Sequence, residues 1–388
     1  MTATRTRLRW LVPVAALAVA IGAPAAYSAV AAADPALPGK TAEELLTDLA
    51  EAEPVAFSGE VTQTVDLGLP DLSALSGFTG PGGRHGGAAP FDPMTLASGT
   101  NDWRVWTNAA DAAKLALVVD GGEYSLTYND GDVWFWDSAA GEAAHGTAPE
   151  HAGTASEAPS VTPQQFAEDF LAHVEPSTTV TTSGTSTVAG RSAYDLVLMP
   201  DDAATKIGEV RLAVDSETSL PLAFEVTNTS GLTAIDVAFT SIDFSAPDAA
   251  VFEFAPPAGA AVTEMPSHDE KPDRDGMRHG TTGEPDFDEP VKIGEGWSTV
   301  LVMPAQDLSQ QGFGMGDMAR PRDEGAERSE DDATAGLEAI LMQLPTVSGD
   351  WGSGKLFDGT LFSAILADDG RIAVGPVAPE ALYDALAQ

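Results

Sequence analysis

The sequence predicts an α+β fold: one large antiparallel sheet curled around short helices, followed by a small C-terminal α+β domain. Three observations carry this. Period-two patterning recurs between residues 55 and 240. Turn signals separate the apolar runs. Two short amphipathic helical patterns accompany the strands and offer cover for the dry face of the sheet.

The first helical pattern is TAEELLTDLAEA, Thr41 to Ala52. Thr41 and Glu44 have the spacing of a capping box, and Leu45, Leu46 and Leu49 form the apolar stripe. In Val55–Leu67, Val55, Phe57, Val61 and Val65 share one parity, and Ser58, Glu60, Thr62, Thr64 and Asp66 the other. The same alternation places Tyr124, Leu126 and Tyr128 on one face of a strand, then Val210, Leu212 and Val214, then Leu222, Phe224 and Val226, then Ile235, Val237 and Phe239. Together they read as an antiparallel meander with one wet face and one dry face. The second helical pattern is TPQQFAEDFLAHV, with Thr162 as cap, Pro163 at the first helical position, and Phe166, Phe170, Leu171 and Val174 as the stripe.

Two segments interrupt the strands. Residues 68–100 are rich in glycine and proline, yet carry Leu72, Leu75 and Phe78. Loops of that length are usually functional or disordered. Residues 263–292 are polar and read as an interdomain linker. Beyond them, IGEGWSTVLVMP is a strand, an acidic low-complexity insert reaches about Asp332, and ATAGLEAILMQL is a helix. GKLFDGTLFSAILADDGRIAVGPV reads as two strands about a DDGR turn, and PEALYDALA is a closing helix. The expected organisation is 1–33 leader or anchor, 34–262 sheet domain, 263–292 linker and 293–388 small α+β domain.

The charge excludes several classes. Asp and Glu number 59 against 19 Lys and Arg, a net charge of −40. That repels nucleic acid and anionic membrane surfaces. There is no cysteine, so thiol chemistry, disulfides and an N-terminal lipid anchor are all ruled out. Arg5, Arg7 and Arg9 precede the apolar run Trp10–Gly22, and small residues follow. This is the layout of a Sec-type signal peptide, with an uncleaved anchor as the alternative. Either places the body of the chain outside the cytoplasm, periplasmic or secreted.

No catalytic or nucleotide motif is present. HDEKPDRDGMRH, residues 268–279, begins like a calcium loop but lacks its closing glutamate, and reads as solvated linker. No cofactor or metal is implied, and the expectation is a protein that binds rather than catalyses.

The signal above background is apolar. Trp103, Trp106, Tyr124, Tyr128, Trp134 and Trp136 crowd into one region. They form either an ordinary aromatic core or a hydrophobic cavity inside the curled sheet. The second reading makes Phe57, Val61, Val65, Tyr124, Leu126, Tyr128, Trp134, Trp136, Phe224, Val226, Val237 and Phe239 its lining. Leu45, Leu49, Leu72, Leu75, Phe78, Phe166 and Phe170 are then its lid or gate.

YNDGDVWFWDS, Tyr128 to Ser138, tests the register. A two-residue Asp130–Gly131 turn puts the tryptophans with Ser125 and Thr127. A three-residue Asn129–Gly131 turn pairs Leu126 with Trp134 and Tyr124 with Trp136 on the dry face. The second is expected, because two indoles left in water cost more than Val133 and Phe135.

These residues also resemble a family. The leader, the first helix, the YNDGDVWFW hairpin, RLAVDSETSLPLAFEV and IDFSAPDAAVFEFAPPAGAAV are similar to the LolA-like carriers of lipoproteins, across residues 34–262. The resemblance implies a half-open antiparallel barrel with a helical lid over a cavity that takes acyl chains of lipoproteins or lipids. The same fold occurs in RseB-like regulators, which add a smaller C-terminal domain and act on an anti-sigma-type membrane partner. The carriers end near the sheet, and this chain continues for over a hundred residues. The implied partners are acyl chains, with a membrane protein of the ABC-transporter or anti-sigma type, and no nucleic acid.

Overall fold

The structure is a computed structural model that describes residues 37–69, 98–119, 121–147, 177–265, 291–304 and 341–388. The leader, most of the 68–100 segment, the 162–174 helix, the polar linker and the acidic insert lie outside the described residues. Two compact units form, residues 1–66 with 88–201 and 207–267, and residues 67–87 with 202–206 and 268–388.

The first unit opens with α1 (Ala42–Glu51). Its capping box is formed as the sequence predicts. The Thr41 backbone N–H donates to Glu44 Oε2 at 2.8 Å, and the Glu44 N–H donates to Thr41 Oγ1 at 3.2 Å. Leu45 and Leu49 are buried.

The strands are β1 (Phe57–Asp66), β2 (Ser98–Thr107), β3 (Ala112–Val119), β4 (Gly122–Asn129), β5 (Asp132–Asp137), β6 (Glu142–Thr147), β7 (Thr178–Val188), β8 (Arg191–Pro200), β9 (Ile207–Asp215), β10 (Pro221–Asn228), β11 (Thr233–Asp243) and β12 (Ala261–Glu264). They make one sheet in the order β12-β6-β5-β4-β3-β2-β1-β11-β10-β9-β8-β7. The pairing is antiparallel except at β12, which lies parallel to β6. The sheet therefore consists of two meanders, β2–β6 and β7–β11, joined through β1. It curls without closing into a barrel, and β7 comes back to touch β11.

The core records that curl. Val188 and Ala193, at the β7–β8 end, and Leu220 before β10 pack in one cluster with Phe57, Val105, Leu115, Leu126 and Phe239. Phe57 and Phe239 meet edge to face at 5.6 Å. Gly59 lies beside them because the Phe239 ring crosses its backbone, and a Cβ there would stand 2.8 Å from the ring.

The second unit carries β13 (Val291–Ile293), β14 (Val300–Pro304), β15 (Thr346–Gly349), β16 (Gly352–Asp358), β17 (Ser363–Ala367), β18 (Arg371–Gly375) and α2 (Pro379–Leu386). The sheet order is β13-β14-β18-β17-β16-β15. Leu382, Ala385 and Leu386 of α2 pack with Val300, Ile365 and Val377. The stretch expected to hold two strands holds three. GKLFD belongs to β16, and a second turn, in which Gly359 N–H donates to the Phe362 carbonyl at 2.9 Å, precedes β17.

Candidate functional site

The apolar face of the larger sheet is built from lateral rows. Val65 pairs with Ile235, which pairs with Val226, then Val210, Leu198 and Val180, so one row of aliphatic side chains crosses six strands. The next row runs Gln63, Val237, Phe224, Leu212, Leu196 and Thr182. A third runs Phe239, Val61, Trp103, Leu117 and Tyr124. Directly paired residues share a face, so these rows form one continuous apolar surface.

Two contacts place α1 and its lead-in on this surface. The Tyr194 hydroxyl, on the same parity of β8 as Leu196 and Leu198, donates to the Pro38 carbonyl at 2.9 Å. Lys40 Nζ stands 5.1 Å from the centre of the Tyr194 ring. On the outer flank of α1, Ala42, Leu46, Thr47 and Ala50 join Val180 of β7 to line a groove of about 480 Å³, with Glu43 and Glu51 at its rim. The groove thus opens at the end of the first aliphatic row.

One polar pair is set into this face. Trp103 Nε1 donates to Gln63 Oε1 at 3.0 Å, and both residues are 1% exposed. The bond satisfies the indole, so the pair adds shape without leaving a buried donor open. Tyr124 lies at the margin, where burial and then Asp137 push its phenol up.

The opposite face carries a polar row across β9, β10, β11 and β1. Arg211, Glu225, Asp236 and Thr64 follow one another in register. Burial, and then the neighbouring Glu225, raise the Asp236 carboxyl to about 7.

The expected lining residues fall in three groups. Phe57, Val61, Val65, Leu126, Phe224, Val226 and Phe239 are buried. Tyr124, Tyr128 and Val237 are half-buried on the same face. Trp134 and Trp136 require a correction. Thr127 pairs with Trp134 and Ser125 with Trp136, so the turn has two residues, and the indoles stand on the face opposite Leu126 and Phe135. Asp130 and Gly131 both take positive φ, 47° and 91°, as a type I′ turn requires. The expectation failed because that face is not wet. Phe254, in the segment after β11, lies 5.3 Å from Trp134 and 5.9 Å from Trp136, and Phe252 beside it is buried.

Of the expected gate, Leu45 and Leu49 lie in the described residues and are buried. Leu72, Leu75, Phe78, Phe166 and Phe170 lie outside them. Sequence reasoning missed Leu46, Val180, Leu198, Val210 and Ile235 as site residues. Ile235 and Val210 carried the alternation that would have found them. Val180 sits in a threonine-rich stretch and gave no such signal.

Among the described residues no group of three or more His, Asp or Glu is placed to hold a metal ion. No helix among them is long and apolar enough to cross a membrane.

Residues 140–265 match the family described as MucB/RseB N-terminal domain. No curated protein sequence matches the chain. Among solved structures, the MucA/MucB complex of Pseudomonas aeruginosa is similar at 16% identity, covering 89% of this chain and 96% of the other, with a TM-score of 0.41. A LolA superfamily protein of Nitrosomonas europaea is 9% identical over 56% of this chain and 99% of its own, with a TM-score of 0.23. The Mycobacterium tuberculosis lipoprotein LppX is 10% identical over 51% and 91%, with a TM-score of 0.24. The family match runs from β6 through β12 of the curled sheet, about a third of the chain.

Proposed function

We propose that the protein is a non-catalytic, extracytoplasmic binder of the acyl chains of lipids or lipoproteins. The supporting observation is the aliphatic row from Val65 to Val180, which ends in an open groove on the outer flank of α1. An acyl chain gains about 0.8 kcal/mol per CH₂ removed from water. Ala42, Leu46, Ala50 and Val180 line the groove with apolar groups and carry none suited to attack an ester. The twelve residues expected as lining stand in this reading with Trp134 and Trp136 removed and Val180, Leu198, Val210 and Ile235 added. Native mass spectrometry of protein purified from its own host, followed by lipid extraction, tests it. Co-purified acyl lipid that leaves on Val180→Glu supports it, and a protein that stays empty when offered lipid micelles refutes it.

A second reading has its own support in the match to the MucB/RseB N-terminal domain and in the second unit. In it the protein is an RseB-like regulator that senses lipid or misfolded protein and binds an anti-sigma-type membrane partner. Capture of such a partner by the full chain, lost on removal of residues 293–388, separates it from a carrier working with an ABC transporter.

A further inference from the structure

We infer that the outer edge of β7 is a docking site for an extended polypeptide segment that carries a basic side chain. β7 ends the larger sheet, and among the described residues no strand pairs with its outer side. It has eleven residues and carries neither proline nor charge. Edge strands are usually short, charged or interrupted by proline, which keeps other chains from pairing with them. The opposite end of the sheet follows that rule, since β12 has four residues and ends on Glu264. β7 does not, and its Thr179, Thr181, Thr182 and Ser183 are exposed. The register shifts only after Thr182, so the stretch Thr178–Thr182 is regular.

The ladder with β8 sets where the backbone groups of that stretch point. The Asp201 N–H donates to the Ser177 carbonyl at 2.9 Å, just outside the Thr178–Pro200 pair. In an antiparallel ladder every second residue bonds its partner, and the residues between turn their N–H and C=O to the other side. Ser177, Thr179 and Thr181 therefore face β8, and Val180 and Thr182 face outward. A strand that answers them lies about 4.8 Å beyond β7. An extended backbone offers donors and acceptors at the required spacing, and an acyl chain offers none.

The side chains choose the partner. Residues paired across a ladder share a face. The residue laid opposite Val180 thus points with it into the groove of about 480 Å³ beside α1. Ala42, Leu46 and Ala50 give that groove an apolar floor, Glu43 and Glu51 stand at its rim, and no Lys or Arg lines it. Lys40, just before α1, is held by Asp48 at 2.6 Å. An arginine or lysine fits both parts, with its stem on the floor and its charge at the carboxylates. A second copy of this chain would bring the same two glutamates and a net charge of −40, so it is the poorer occupant. Main-chain pairing joined to a pocket for an alternate side chain is how sheet edges recognise peptides. The inference does not rest on the acyl-chain reading, although the two ligands would contend for the groove at Val180.

The test titrates the full-length protein with fluorescein-labelled TVTRTVT peptide and follows anisotropy. With the arginine opposite Val180, the arginine and both valines turn their N–H groups to β7. N-methylation at those three positions should weaken binding about tenfold, and N-methylation at the inner threonines should leave it unchanged. Thr182→Pro removes an outward N–H without touching the β8 ladder and should cost about fivefold. Glu43→Gln with Glu51→Gln should weaken the arginine peptide about threefold to tenfold and leave a TVTLTVT peptide unaffected. Hydrogen exchange should show the Val180 and Thr182 amides open in the free protein and protected by the peptide, with β10 and β11 unchanged as the check on folding. Absence of binding overturns the inference. So does equal binding by both methylated peptides, or protection of the Val180 and Thr182 amides before peptide is added, whether by another segment or by a second copy. Lipid extraction reads the acyl-chain proposal separately, and neither result decides the other.

Discussion

Arg191→Leu offers the sharpest test of what holds the sheet in its curl. The Asp215 side chain at the end of β9 is fully buried, and Arg191 at the start of β8 grips it with two hydrogen bonds. Nε reaches Oδ2 at 2.7 Å, and Nη2 reaches Oδ1 at 2.9 Å. Asp215 also accepts from the Glu217 and Thr218 N–H groups and the Thr218 hydroxyl, at 2.9 to 3.0 Å. Arg191 in turn lies over Phe244, 4.8 Å from its ring centre, and Phe244 packs on the core that holds Phe57. Burial pushes the Asp215 carboxyl up, but Arg191 and the local hydrogen bonds outweigh it and leave the carboxyl below its ordinary value. Removing one partner of a buried ion pair costs about 3–5 kcal/mol. The three remaining hydrogen bonds and the partial exposure of Arg191 place this case near about 3 kcal/mol.

The pH dependence has a definite sign. Asp215 is depressed in the folded state, so its stabilisation is present above about pH 4 and is lost as the pH falls through its folded value. In Arg191→Leu the buried carboxylate loses its counter-charge, and protonation relieves the strain. The gap from wild type should therefore narrow from pH 7 toward pH 4, and Asp215→Asn added to Arg191→Leu should recover part of the loss at pH 7. Urea unfolding followed by tryptophan fluorescence measures all of these. A loss below about 1 kcal/mol at pH 7, or a gap that does not change with pH, would refute the reasoning.

Asp236→Asn should stabilise the fold by about 1–2 kcal/mol at pH 8 and by nothing at pH 4. The Asp236 carboxyl is raised to about 7, so its ionisation opposes folding progressively as the pH rises to that value. Urea midpoints at the two pH values check it, and an equal gain at both counts against it. Gly131→Val should cost about 1–2 kcal/mol through its positive φ, whereas Asp130→Asn should be tolerated, as thermal unfolding would show. Trp134→Ala should leave acyl-chain retention intact while Val180→Glu lowers it severalfold with the far-ultraviolet dichroism preserved. The reverse pattern would move the binding surface to the other face.

The sequence announced the elements whose two faces differ. α1 declared itself through its cap and stripe, and β1, β9, β10 and β11 through alternation, because each has one face on the apolar surface and one on the polar side. β3, AAKLALVV, was harder, since alanine and leucine suit a helix as well and apolar residues occupy both of its faces. β7, TTVTTSGTSTV, lies at the edge, and its apolar anchors are Val180 and Val188. The hairpin register could not be read locally. The NDG sequence supports both turn lengths, and the choice depends on Phe254, which arrives from far along the chain to cover the indoles. Nor could the pairing of His145 on β6 with Asp132 of β5 and Glu264 of β12 be read, because it joins three strands, one of them four residues long.

β1 has a consequence for the order of assembly. It is the earliest strand to be made, yet Ser58 pairs with Asp243 on one side and Trp106 on the other. The two meanders form from neighbouring hairpins and need no distant segment, but each keeps an open edge, β2 in one and β11 in the other, until β1 enters between them. Loop closure of that span is slow compared with hairpin formation. A chain still being synthesised therefore cannot complete its central pairing until residues 235–243 have been made. The same delay leaves two pairing-competent edges exposed, so a chaperone acting on this protein would be needed at β2 and β11, before β1 joins them.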